Sequence, residues 1–169
     1  SDYAVSVANL ASDSGASTVV LCDTNGGTLP SNISSAVSHV SKKVKTKFGI
    51  HTHNDLGLAV ANTLSAISEG ASHVQGTMNG IGERTGNVDL CQVIPILHFK
   101  LGLNFSNSLV SQELLVKNIT STSKLVYELA NLSSYPRQPF VGSSSFAHKG
   151  GVHIDAVIKN NRSYENIDP

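Results

Sequence analysis

Residues 51–55 read His-Thr-His-Asn-Asp, directly after a short apolar run that includes Phe48 and Ile50. Side chains on a strand alternate faces with period two, so imidazoles at 51 and 53 on a strand end project to the same side. Two such rings can grip one divalent cation, because neutral imidazole is a good ligand for zinc, manganese or iron-type ions. Two are too few for catalysis, which normally takes at least three protein ligands and keeps positions open for water or substrate. The third must come from elsewhere. Asp55 is a candidate by proximity, although a carboxylate there also suits orienting a ligand or the following helix start. The rival reading of a His-X-His pair is two packed or surface histidines.

Three other segments carry reactive side chains. Asp23-Thr24-Asn25-Gly26-Gly27 follows an apolar run; Thr24 offers a hydroxyl, and the glycines let backbone approach a small ligand, while an ordinary strand-to-helix turn is the alternative. Asn79-Gly-Ile-Gly-Glu83-Arg84-Thr-Gly-Asn87 places an acid, a base and an amide among glycines. Arg84 suits a carboxylate, either a ligand's or that of Glu83, and Asn87 suits a metal or its bound water. A phosphate loop is the competing reading, but the Gly-x-x-x-x-Gly-Lys-Ser/Thr pattern is missing. Finally, His148 and His153 lie in a Gly-rich stretch ahead of Tyr164. An imidazole titrates near working pH and can move protons, and one in such a loop can equally be structural.

The elements that must position these residues follow from periodicity. Ala4, Val7, Ala8 and Ala11 predict a first helix stopped by Gly15. Residues 18–22 predict a buried strand. Pro30 opens a helix whose inner side carries Ile33, Val37 and Val40. Residues 47–51 form the next strand, and Leu56, Val60, Leu64 and Ile67 the apolar stripe of the helix after it. Residues 73–77 make a third strand. Leu90, Val93, Ile94, Leu97 and Leu101 then mark a helix, kinked at Pro95. Helices alternating with strands through short connections describe parallel βα units, with the polar turns gathered at the strands' C-terminal ends, where such folds bind ligands. The pattern changes after Gly102: 103–111 read as a linker, 115–129 as helix, and 133–151 as a Ser-, Pro- and Gly-rich loop. The expected division is 1–102 as barrel and 103–169 as linker and helical subdomain.

Lysine plus arginine and aspartate plus glutamate are 12 each, so no charge excess points to nucleic acid or an anionic membrane. No apolar run reaches the roughly 18 residues of a spanning helix. The 169 residues fall short of the ~250 of a complete α/β barrel. Cys22 and Cys91 sit among apolar neighbours, which predicts two buried thiols rather than a disulfide and fits a reducing compartment; the expected setting is the cytoplasm, with an organelle form as the alternative.

Taken together, Asp23–Gly27, His51–Asp55, Gly80–Asn87 and His148-Lys-Gly-Gly-Val-His153 resemble the Claisen-condensing family of 2-isopropylmalate, homocitrate and citramalate synthases, with HMG-CoA lyase more distant. Asp-Thr-Asn-Gly-Gly and the run from Phe140 through Phe146 to His153 are most similar to the citramalate branch; its sisters more often carry Asp-Thr-Val-Gly. The lyases have a cysteine-containing loop where this chain has Gly-Glu-Arg-Thr-Gly-Asn. The resemblance implies an α/β fold: the C-terminal part of a TIM barrel, about three βα units, then part of a helical subdomain. It implies a divalent metal (zinc, manganese or magnesium) held by His51 and His53 with Asn87 in or beside its shell. Thr24 and Arg84 would bind a 2-oxoacid such as pyruvate, acetyl-CoA would be the co-substrate, and His153, Tyr164 and Glu83 are the catalytic candidates. A homodimer and a role in isoleucine biosynthesis are implied for the full-length protein. The family's first strand supplies an Arg and a third metal ligand, an Asp, that this sequence lacks. The fragment alone is therefore expected to be inactive, and prone to aggregate through open sheet edges.

Overall fold

The computed structural model describes residues 2–104 and 111–168. Residues 105–110, inside the expected linker, lie outside the described residues. Packing divides the chain into two units, 1–93 and 94–169.

In the first unit, α1 (Asp2–Asp13), β1 (Thr18–Asp23), α2 (Pro30–Ser41), β2 (Lys47–Thr52), α3 (Ala59–Ser68) and β3 (His73–Gln75) follow in order. The strands form one parallel sheet ordered β1-β2-β3, with Cys22 beside His51 and His51 beside Gln75 in register. Alternation splits each strand between two faces. Phe48 and Ile50 pack on Ile33 and Val37 of α2 and on Ala66 of α3, joined by Leu21 and Val74. Val5 and Ala8 of α1 meet Val40, Val44, Val19 and Leu21 in a second cluster. Residues 20 and 22, 49 and 51, and 73 and 75 are left for the other face.

That division corrects the cysteine expectation. Cys91 is buried but Cys22 is exposed, because it alternates away from the helices; both are free thiols. The stripe expected on α3 is also displaced. The buried residues are Ala59, Asn62, Thr63 and Ala66, whereas Leu56 is exposed and Val60, Leu64 and Ile67 are only half-buried. Small residues let α3 lie close to β2, and Thr63 and the Asn62 Nδ2 group find partners there, while Asn62 Oδ1 is buried without one. Thr52 Oγ1 donates to the Ala59 carbonyl at 3.0 Å, so its 2.9 Å contact with Thr63 Oγ1 takes the Thr63 proton. On α1, likewise, Val5 and Ala8 are buried and Val7 is exposed.

Pro30 stands at the start of α2, where its missing N–H breaks no helical bond. Pro95 ends α4 (Leu90–Pro95), and the chain continues as a wider π turn over Ile96–Lys100, closed by Leu101 N–H on the Ile96 carbonyl at 3.2 Å. A proline inside a helical run removes one donor, and the looser turn accommodates the loss.

The second unit continues with α5 (Gln112–Lys117), capped by the Ser111 side chain, then α6 (Ile119–Leu129) and α7 (Gly151–Lys159). The long connection is organised around buried Gln138. Tyr127 Oη donates to its Oε1 at 3.0 Å, and Ser145 Oγ and Gly142 N–H donate to its carbonyl at 2.6 and 3.0 Å. A side chain at 142 would strike the backbone of Pro136 and Gln138, so only glycine closes this loop. Among the described residues no helix is long and apolar enough to cross a membrane.

Ile50 is 1 % exposed at the centre of the first cluster. Ile50→Ala is expected to lower unfolding free energy by about 3 kcal/mol, read from the urea midpoint, and a loss below about 1 kcal/mol would contradict this packing.

Candidate metal centre and its rim

His51 and His53 point to the same side of β2, as alternation requires. Their Nε2 atoms are 3.4 Å apart, with ring centroids at 5.1 Å and planes crossed at 74°. The Asn87 carboxamide joins them, its Nδ2 lying 3.1 Å from His51 Nε2 and 3.4 Å from His53 Nε2. Thirty-four residues separate Asn87 from His53, and the backbone closes that gap. The chain turns back after β3 so that Val88 N–H bonds the Thr52 carbonyl and Asn54 N–H the Gly86 carbonyl, each at 3.0 Å, with His53 and Asn87 bridged antiparallel. Two glycines permit the turn. A side chain at 86 would meet the Gly80 carbonyl, with φ already +100°, and one at 82 would occupy the place of Asn87 Oδ1.

These three side chains fit a divalent cation. Histidine nitrogens bind zinc at about 2.0–2.1 Å, which at tetrahedral angles separates two ligand atoms by roughly 3.4 Å. The Nε2 pair has that spacing. A half-turn of the Asn87 amide would present its oxygen to the two Nε2 atoms as a third donor. Both Nδ1 atoms are buried without a hydrogen-bond partner among the described residues, and the two Nε2 atoms face the shared point. Two neutral rings and an amide supply no negative charge. Among the described residues no group of three His, Cys, Asp or Glu converges on one point.

Asp55 does not serve as that ligand. Its carboxylate takes Arg84 in a two-pronged pair, Nε to Oδ1 and Nη2 to Oδ2 at 2.9 Å each. Arg84 Nη2 donates also to the Thr24 carbonyl at 2.7 Å. The Arg84 hydrogen bond holds the Asp55 carboxyl below the usual carboxylate range, and the same bond raises Arg84. Arg84 therefore pairs with Asp55 and not with Glu83. Its backbone sits at φ +60°, a left-handed conformation uncommon outside glycine and typical of functional loops.

The sequence reading missed two organisers. Asp23 is buried; its carbonyl accepts His53 N–H at 3.3 Å and Gly26 N–H at 3.2 Å, while its carboxylate accepts Thr28 Oγ1 at 2.7 Å and Asn62 Nδ2 at 3.4 Å. Asp89 accepts the Cys91 N–H at 2.8 Å and so starts α4. An acid ending a strand, or standing two residues before a helical run, is the signal for both. Thr24 is exposed at the end of β1 and Glu83 at the rim.

In the second unit His153 belongs to α7 rather than to a loop, and it stacks on Tyr164 with centroids 4.2 Å apart and planes at 20°. His148 Nε2 lies 3.4 Å from Glu165 Oε1 without the alignment of a hydrogen bond. The structure thus gathers His51, His53 and Asn87 into one cluster, joins Arg84 to the Thr24 backbone, and pairs His153 with Tyr164.

Comparison with known proteins supplies the frame. Residues 1–126 match the HMGL-like family model. The chain belongs to the HMGL-like family. Residues 140–169 match the homocitrate synthase post-HMGL domain-like model. The sequence is 52% identical over 168 residues to the (R)-citramalate synthase of Sulfolobus acidocaldarius, covering 99% of this chain and 31% of that protein. It is 38% identical over 180 residues to the 2-isopropylmalate synthase of Prochlorococcus marinus, covering 99% and 33%. The chain thus spans about a third of these relatives' length. An HMG-CoA lyase from Acinetobacter baumannii, solved with coenzyme A and 3-methylmalate, superposes with a TM-score of 0.66 at 19% identity, over 88% of this chain and 46% of that one. The fold is the C-terminal part of a TIM barrel followed by a helical part.

Gly82→Ala in the full chain should displace the Asn87 amide and weaken Mn²⁺ binding by tenfold or more. Titration should show no such loss for Gly151→Ala, where a side chain meets nothing within 4 Å and the backbone is not left-handed. Equal affinities in the two variants would exclude Asn87 from the centre.

Proposed function

We propose that this chain is the metal-bearing part of an acyltransferase that condenses acetyl-CoA with pyruvate and hydrolyses the thioester to release citramalate and coenzyme A. The observation that carries this is the convergence of the His51 and His53 Nε2 atoms, 3.4 Å apart, beside Asn87 at the C-terminal end of a parallel sheet. The greater identity to a citramalate synthase than to a 2-isopropylmalate synthase favours pyruvate over a bulkier 2-oxoacid.

His51 and His53 would hold a zinc, manganese or magnesium ion through Nε2, with Asn87 at its edge. Such an ion, when bound, polarises the ketone and favours negative charge on its oxygen. Thr24, exposed at the end of β1, donates its hydroxyl to the oxoacid carboxylate. Proton transfer falls to His153, with Tyr164 stacked against its ring to fix the imidazole's plane. A base takes one proton from the acetyl methyl, the enolate carbon attacks the ketone carbon as its C=O π bond opens and the oxygen takes up a proton, and water then cleaves the C–S bond to leave a carboxylate and free coenzyme A. Glu83, at the rim, is the remaining acid–base candidate. The rest of the barrel would come from further chain, and in a homodimer His153 and Tyr164 would serve the partner's site. The setting proposed is the cytoplasm, in the route to isoleucine.

With the full-length protein, coenzyme A release should be fastest with pyruvate, ahead of 2-oxoisovalerate and 2-oxoglutarate. No release with any of them would favour a non-catalytic metal-binding module. His51→Ala should abolish stoichiometric metal, measured by elemental analysis. His153→Ala should cut turnover by at least about a hundredfold, with metal retained.

A further inference from the structure

The loops that follow the three strands are tied pairwise. Those after β1 and β2 are joined by His53 N–H on the Asp23 carbonyl and Leu56 N–H on the Gly26 carbonyl, both at 3.3 Å. Those after β2 and β3 share the two 3.0 Å bonds already described, Val88 to Thr52 and Asn54 to Gly86. Arg84 closes the triangle, reaching from the third loop to Asp55 on the second and to the Thr24 carbonyl on the first. Asp55 is also wedged against Gly26, where any side chain would strike its carboxylate. Three of the five guanidinium donors are used in this way, two of them from Nη2.

We infer that Asp55 and Arg84 are positioning residues for the 2-oxoacid, and that they act through Thr24. By gripping the Thr24 carbonyl, Arg84 fixes the peptide that sets where the Thr24 hydroxyl points, and Asp55 fixes Arg84. The ion pair is the device that holds the loop bearing the carboxylate donor at a constant distance from the loops bearing His53 and Asn87. This inference rests on the function proposed above. The backbone bonds around His51, His53 and Asn87 do not pass through the guanidinium, so metal binding outlasts loss of the pair.

A fork is needed for this, not merely a charge. One lysine nitrogen cannot reproduce two parallel bonds to a carboxylate and a third to a carbonyl. The test uses the full-length protein loaded with Mn²⁺, comparing Arg84→Lys, Arg84→Ala, Asp55→Asn and the double variant Asp55→Asn/Arg84→Ala. In all four, KM for pyruvate and the pyruvate dissociation constant from calorimetry should rise about tenfold or more, with a smaller change in kcat and with one Mn²⁺ retained. The double variant should be no worse than Arg84→Ala alone, and guanidinium ion added to Arg84→Ala should recover part of the pyruvate affinity.

Unaltered pyruvate affinity in Arg84→Ala would overturn the inference. So would additive losses in the double variant, or full function in Arg84→Lys. Lost Mn²⁺ in every variant would also overturn it, since the pair would then be holding the metal ligands. The wild-type protein separates this from the underlying reading: absent coenzyme A release there refutes the proposed function, whereas release with insensitive variants refutes only the positioning role.

Discussion

The return of residues 86–88 onto the end of β2 is the constraint on which the site depends. Two backbone hydrogen bonds of 3.0 Å bring a side chain from beyond the third strand into contact with two histidines on the second. Without it, His51 and His53 would be a pair of same-side imidazoles with nothing beside them. The turn is feasible because Gly82 and Gly86 leave room that any Cβ would fill. It is stable because residue 87 pairs with residue 53 as a short bridge and not as a free loop.

Beneath that rim lies a polar layer that packing alone would not select. Thr52, Asn62 and Thr63 are fully buried on the helix side of β2, and Asp23 is nearly so. A buried hydroxyl or amide is costly unless bonded. Here Thr52 and Thr63 bond one another and the start of α3, while Asn62 reaches both Asp23 and the Thr28 carbonyl. The layer links α3 to both strand ends, so the loops above it inherit a rigid base. Rigid elements under a site hold its geometry better than loops can by themselves. β2 therefore works in two directions, sending Thr52 toward the helices and His51 and His53 toward the other face.

Much of this was legible in the sequence. The order of helices and strands follows from periodicity, and α2 buries the three residues its stripe names. On α3 the stripe that periodicity names differs from the buried one because bulky Val60, Leu64 and Ile67 outrank small Ala59 and Ala66 in any hydrophobicity pattern. A helix crossing a strand closely needs small residues at the contact, and that need is invisible until the strand is in place. Cys22 differs for a related reason: apolar neighbours in sequence fall on both faces of a strand, and the clusters that α1, α2 and α3 form with the sheet take the face opposite Cys22. Arg84 and Asp55, 29 residues apart, could not be paired from spacing, since each had a nearer charged or polar neighbour.

By itself the sequence determined the parallel βα order, the same-side projection of His51 and His53, and the gathering of reactive residues at strand ends. These are consequences of local periodicity, which a linear chain displays in full. Only the tertiary structure decided that Asn87 meets the two imidazoles, that Asp55 belongs to Arg84, and that His153 stacks on Tyr164. Each of those contacts depends on a turn whose direction is set by where backbone fits against backbone, and that is a property of the packed chain rather than of any segment within it.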